Sequence, residues 1–304
     1  MSTFEPGLVH TPVTPFTADR RIDFDLYARV LEFHLENGAD SLALPMHVGE
    51  SVSLTDAEKI EVLAYAIGQV KGRVPVIAHV SQSGTSLAEN LARKAEAAGA
   101  SAIIATTPYY WTPQPPMMLE HFVRIGSAVR IPFYVYNSPE EMGGTKITTD
   151  LTLKLLGRLD NFVGLVDASL DWQFLIDVVS NARAKHPDFQ LLSGYEYLIS
   201  AGAIGARGAF APHAGIAPNL VRRLYERCRQ EAYNAARGPQ EDFAELRHAV
   251  KAAGFTGLKG AMRLMGRDVG APRAPVPPLK ASEYEALAAA LNGMAFLQDE
   301  PRGW

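Results

Sequence analysis

Three short runs in the chain repeat one pattern. Asn37-Gly38-Ala39-Asp40, Ala98-Gly99-Ala100-Ser101 and Ile204-Gly205-Ala206-Arg207 each follow a helical segment and lead into a short apolar one. A glycine at a helix end can adopt the left-handed conformation that closes the helix, and the small residue after it lets helix and strand approach closely. With the segments between them, these joints predict strands at 8–13, 41–44, 74–78, 102–105, up to 136, 163–169, 190–193 and 208–211, alternating with helices. Eight such units predict an α/β fold, a (β/α)8 barrel.

Local signals agree with this order. Asp23 precedes a helical apolar pattern, and Thr55-Asp56-Ala57-Glu58 has the form of a capping box, in which Thr55 and Glu58 each satisfy an orphan amide of a helix expected to run to about residue 70. The chain has 304 residues. A barrel of about 250 residues or fewer therefore leaves a remainder. We expect the barrel over 1–217 and a helical region packed on it over 218–304, with helices at 222–236, 241–253 and 282–297. Gly254 interrupts the helical run, and Pro272, Pro275, Pro277 and Pro278 mark a loop before the last helix.

Several partner classes are disfavoured. The net charge of −4 leaves no basic footprint for nucleic acid. No apolar run approaches the roughly 20 residues of a membrane span. Met1-Ser2-Thr3-Phe4-Glu5-Pro6 has no signal-peptide pattern. A single cysteine, Cys228, excludes an internal disulfide and a cysteine-based zinc cluster. These traits suit a cytoplasmic enzyme or binding protein whose partner is a small molecule.

The strand stretches at 131–139 (Ile-Pro-Phe-Tyr-Val-Tyr-Asn-Ser-Pro) and 163–169 (Val-Gly-Leu-Val-Asp-Ala-Ser) carry a resemblance. Together with Thr107-Pro108-Tyr109-Tyr110 and Gly49-Glu50-Ser51, they are similar to the dihydrodipicolinate synthase / N-acetylneuraminate lyase family, over almost the whole chain. Members make or break a carbon–carbon bond next to pyruvate. The resemblance implies a proton-relay role for Tyr136. It implies for Tyr110 a role across a dimer contact, in a homodimer or homotetramer. No cofactor is implied.

Departures from the family pattern are as informative. The family places a Schiff-base lysine where this chain has Val166, and a hydrocarbon cannot condense with a ketone. Asp167, beside it, points the other way along a strand. The family's Gly-Thr-Thr-Gly-Glu-Ser reads here Met46-His47-Val48-Gly49-Glu50-Ser51, so His47 and Val48 replace the carboxylate-holding threonines. His47 can still hydrogen-bond or shuttle a proton. Glu50 is expected to be structural. Glu141 stands where many relatives have an arginine that grips a distal carboxylate, and would repel such a group by on the order of 1 kcal/mol.

The expected catalytic residues are thus Tyr136, Tyr110 and His47. The expected substrate-binding residues are Val48, Glu141, Val166, Asp167 and Phe210. Three functions remain open: a divergent lyase or aldolase acting on a keto-acid-like metabolite without a Schiff base, a non-catalytic metabolite-binding protein, and a metal-assisted aldolase or hydrolase. The last would require His47, His79 and His213, with His10 on the first strand and Asp167 or Glu196, to converge on one ion. No metal-ligand spacing ties them together, and separate polar groups lining a pocket are the expectation.

Overall fold

A computed structural model of the protein describes residues 4–110 and 112–304; Met1, Ser2 and Thr3 of the N-terminal segment discussed above lie outside it. The strands are β1 (Leu8–His10), β2 (Ser41–Leu44), β3 (Val76–His79), β4 (Ala102–Thr106), β5 (Phe133–Asn137), β6 (Phe162–Asp167), β7 (Gln190–Ser193) and β8 (Gly208–Ala211). All neighbours pair in parallel, and β8 returns to β1, closing an eight-stranded barrel. The helices between them are α1 (Phe24–Glu36), α2 (Asp56–Val70), α3 (Thr85–Ala97), α4 (Pro115–Ser127), α5 (Thr149–Leu156), α6 (Trp172–Lys185) and α7 (Leu198–Ala203). Beyond β8 come α8 (Pro218–Arg229), α9 (Tyr233–Ala252), α10 (Gly257–Leu264) and α11 (Ala281–Asn292). No helix among the described residues is long and apolar enough to cross a membrane.

The joints behave as their chemistry requires. Gly38, Gly99 and Gly205 have φ of +86°, +94° and +92°, where a side chain would be strained. The Asp23 carboxylate accepts from the Leu26 amide at 2.9 Å. Thr55 and Glu58 form the reciprocal cap of α2: the Thr55 amide donates to Glu58 Oε2 at 2.9 Å and the Glu58 amide to Thr55 Oγ1 at 3.2 Å.

Two apolar layers follow from strand alternation. Val9, Ala43, Ile77, Ile104, Tyr134, Tyr136, Val166, Leu192 and Phe210 fill the lumen. The alternate residues, such as Leu42, Ile103, Val135, Leu165 and Leu191, pack outward against the helices. Gly164 faces inward where a Cβ would stand 2.1 Å from the Gln190 carbonyl oxygen.

Some boundaries differ from expectation. The first strand stops at His10 instead of 13, because Pro12 has no amide to donate to a ladder. The first C-terminal helix ends at Arg229, where Glu231 takes a left-handed turn (φ 56°), and α9 begins at Tyr233 and tolerates Pro239 within it. Gly254 (φ +72°) breaks the run as expected, and α10 follows as a helix not anticipated from the sequence. The C-terminal segments are tied to the barrel by polar groups as well as apolar ones. Fully buried Arg267 donates to the carbonyls of Gly215, Ile216, Pro301 and Gly303 and lies 4.2 Å over the Phe33 ring.

Candidate active site at the barrel mouth

The carboxyl end of a parallel strand delivers its last inward side chain to the mouth of the barrel. On β5 and β6 these are Tyr136 and Val166, which are register partners. Both are buried, and Phe210 from β8 stacks on the Tyr136 ring at 6.4 Å. Burial, and then the nearby Glu141 carboxylate, push the Tyr136 phenol well above its usual range, so it is held protonated and able to donate.

Asn137 and Asp167, one residue further on, point outward. Asn137 Nδ2 donates to Asp167 Oδ2 at 2.5 Å, and the Asp167 Oδ1 accepts from the amide and hydroxyl of Ser169 at 3.0 and 2.8 Å. Asp167 therefore organises the exits of two strands and does not line the mouth. Its burial raises the carboxyl, opposed by those hydrogen bonds.

After β5 the chain folds Glu141 back over the barrel. Its carboxylate accepts from the Ser138 hydroxyl and, at 2.9 Å, from the phenol of Tyr195 in the loop after β7. Two arms of the mouth are thus joined through one carboxylate. From the far side, Arg247 of α9 lays its guanidinium over the rings of Tyr195 (4.8 Å) and Tyr197 (5.4 Å).

The segment after β2 forms a short 3-10 turn, His47–Gly49, with Glu50 left-handed behind it (φ 56°). His47 meets the ring of Phe255 edge-on at 4.8 Å. Glu50 is buried, and Lys259 Nζ of α10 stands 2.5 Å from its Oε1, a close ion contact off the hydrogen-bonding direction. Oε2 accepts from the Arg273 amide at 2.8 Å, and Lys259 also donates to the Thr14 carbonyl at 2.8 Å. Glu50 is a structural tie between the barrel and the C-terminal helices.

A cavity of about 370 Å³ lies between these groups. Its walls include His47, Val48, Glu141, Tyr195, His213 and Arg247, with Phe255 and Leu258 closing the helical side. Of the positions expected from sequence, His47, Val48 and Glu141 line it. Tyr136, Val166 and Phe210 lie in the packed lumen, and Asp167 faces away. Tyr110 is on the surface, 99% exposed, with φ of 87°. A roomier cavity of about 490 Å³ is lined by Gly7, Asp40, Gly208 and Cys228. Gly7 and Gly208 sit at the amino ends of β1 and β8, away from the strand ends that carry chemistry in a barrel.

His47 and His213 share the cavity wall, but the four imidazoles do not gather on one point. His10 is directed outward and its Nδ1 lies 3.1 Å from that of His34 on α1. His79 Nε2 is 2.7 Å from the Ser81 hydroxyl, and burial lowers its pKa to about 3. His213 Nδ1 is 3.2 Å from Glu196 Oε2, and its amide donates to Oε1 at 2.8 Å. Among the described residues no group of three or more His, Cys, Asp or Glu side chains is placed to hold a metal ion.

Tyr195 and Arg247 were not anticipated. Arg247 reads in sequence as one more charge on a solvated helix, and nothing near it in the chain says that α9 lies along the barrel mouth.

The sequence profile of the Dihydrodipicolinate synthetase family matches residues 5–294. The chain is 30% identical over 282 residues to the 4-hydroxy-tetrahydrodipicolinate synthase of Bacillus subtilis, covering 92% of this chain and 96% of that one. It is 31% identical over 293 residues to an uncharacterized DapA-like lyase of Halobacterium salinarum, covering 96% and 94%. Among solved structures, YagE, a prophage protein of E. coli K12 in the dihydrodipicolinic acid synthase family solved with pyruvate, superposes with a TM-score of 0.90 at 25% identity, over 97% of this chain and all of that one. A putative dihydrodipicolinate synthetase from Pseudomonas aeruginosa gives 0.88 at 26%, over 97% and 100%.

Proposed function

Because this chain belongs to the dihydrodipicolinate synthetase family, we propose that it is a lyase- or aldolase-like member that takes a small keto-acid-like metabolite at the barrel mouth without a lysine Schiff base. The observation that carries the proposal is the Val166 side chain, which faces the lumen beside Tyr136 where an amine would be needed. YagE, a relative of the same fold, was solved with pyruvate, which supports a keto acid as the ligand class.

Without an imine, the electron pair released by carbon–carbon cleavage has to rest on the keto oxygen as an enolate. Hydrogen-bond donors can stabilise that charge. In this reading His47 takes the proton from the substrate hydroxyl, the carbon–carbon bond breaks to release an aldehyde, and the enolate collects. Tyr136, kept protonated by burial, returns a proton to the enolate carbon, and the proton carried by His47 then restores the phenol, so both groups end in their starting forms. Tyr110 would act from a neighbouring subunit of a homodimer or homotetramer, which gives its exposed, left-handed placement a purpose.

A second reading is favoured by a specific observation: Tyr136 and Val166 are 7% and 0% exposed beneath the stacked Phe210. A protein that only binds a metabolite in the upper cavity needs no access to them. Two experiments test these readings, and the second separates them. Borohydride treatment with pyruvate is expected to leave the mass of the protein unchanged; a trapped adduct would overturn the proposal. Turnover on a panel of keto acids with aldehydes is expected under the first reading, and binding without turnover selects the second.

A further inference from the structure

Glu196, in the loop after β7, has its carboxylate fully buried. A buried carboxylate is costly unless hydrogen bonds offset its lost hydration. Among the described residues its partners all belong to His213, in the turn after β8. The His213 amide donates to Oε1 at 2.8 Å, and the ring Nδ1 stands 3.2 Å from Oε2. No lysine or arginine among them pairs with it. Helix α9 steadies both residues. Gln240 Nε2 donates to the Glu196 carbonyl at 2.9 Å, and Phe243 meets the His213 ring edge-on at 5.2 Å.

A carboxylate only accepts hydrogen bonds, so the proton between the pair belongs to Nδ1 of the ring. In a neutral imidazole that leaves Nε2 as a bare acceptor in a fixed orientation. Nε2 has no hydrogen-bond partner among the described residues, and His213 lines the mouth cavity. His47 lines it too, but its ring meets only the edge of Phe255, and no polar group selects its tautomer. Of the two imidazoles, His213 is the one prepared to accept a proton.

Resting on the keto-acid reading above, we propose that His213 is a general base of the mouth cavity and that Glu196 is its positioning residue. The step is removal of a proton from the carbon next to the keto group. The C–H bond breaks, its electron pair forms the carbon–carbon double bond of an enolate, and the carbonyl pair moves onto oxygen. Nε2 holds the proton and returns it to the same carbon, so nothing is oxidised or reduced. Arg247 supplies a cation to the same cavity, since its guanidinium stacks on Tyr195 and Tyr197 without an acidic partner among the described residues. The step lies outside the packed lumen and makes no use of Tyr136 or Val166.

The test follows deuterium into C3 of 2-oxobutanoate in D2O by proton NMR, beside calorimetric binding of the same compound to the full chain. The unaltered chain is expected to accelerate the exchange over buffer. His213→Gln is expected to lower the catalysed rate at saturation by roughly 100-fold or more. His213→Ala should lose it likewise and regain part of it with free imidazole, above the rate imidazole gives alone. A purely structural histidine would not respond in that way. Glu196→Gln is expected to lower the saturated rate by roughly tenfold or more with binding unchanged. If that variant does not fold, the His213 variants carry the test. Full exchange rates at saturation in the His213 variants would overturn the assignment, as would binding without exchange by the unaltered chain; the keto-acid reading survives both outcomes. If 2-oxobutanoate does not bind the unaltered chain, both fail.

Discussion

Tyr136 and Val166 are register partners on β5 and β6, and both project into the same sealed apolar layer under Phe210. A proton donor thus stands next to a side chain that cannot bond to a carbonyl.

Placing an amine there should restore covalent chemistry. Val166→Lys buries an ammonium in a dry lumen, which lowers its pKa and favours the nucleophilic form. Overpacking should cost roughly 1–3 kcal/mol of stability. Mass spectrometry after borohydride and pyruvate is expected to show an adduct on this variant and none on the unaltered chain. No adduct on the variant would mean that ligand cannot reach the lumen, in favour of binding without catalysis.

Tyr110 combines near-total exposure with a left-handed backbone, an arrangement that costs a non-glycine residue about 1–3 kcal/mol. Tyr110→Gly should stabilise the fold by on the order of 1 kcal/mol and reduce turnover at the same time. Sedimentation is expected to show a dimer or tetramer. A fully active monomer would remove the role assigned to Tyr110.

His10 and His34 form a buried pair between β1 and α1. Burial, then the charge of Arg222, hold His10 down to about 3 from an ordinary 6.5. Burial, then His10 and Arg267, also lower His34 well below that value. The unfolded chain binds these protons more readily than the folded one. Stability from the pair is therefore fully present above pH 6.5 and lost as pH falls toward 3. Between pH 6 and 4, His10 alone should cost on the order of 2 kcal/mol. Urea midpoints across that range should fall in the unaltered chain and fall less steeply in His10→Phe.

The Glu50–Lys259 contact joins the loop after β2 to α10 across about two-thirds of the chain. Burial lowers the Lys259 pKa, opposed by the Glu50 charge. Lys259→Met strands a buried carboxylate and should cost about 3 kcal/mol, read from the urea midpoint. The double variant with Glu50→Leu should recover part of that loss. If Lys259→Met is as stable as the unaltered chain, the pair does not hold the two regions together.

The barrel itself could be read along the chain because its units are local. A glycine joint at residues 38, 99 or 205, a Thr55–Glu58 cap and an apolar run of four to six residues are each decided by near neighbours. So was the inward placement of Val166 beside Tyr136, which follows from strand alternation once the barrel is granted. The direction of the His10 ring, the bonds that occupy His79 and His213, and the start of α9 at Tyr233 depended instead on what lies across the fold. Glu141 and Arg247 are more than a hundred residues apart and belong to separate elements; nothing in their flanking sequence couples them. They meet over Tyr195 because α9 crosses the mouth of a closed barrel, and only packing between distant segments determines that crossing.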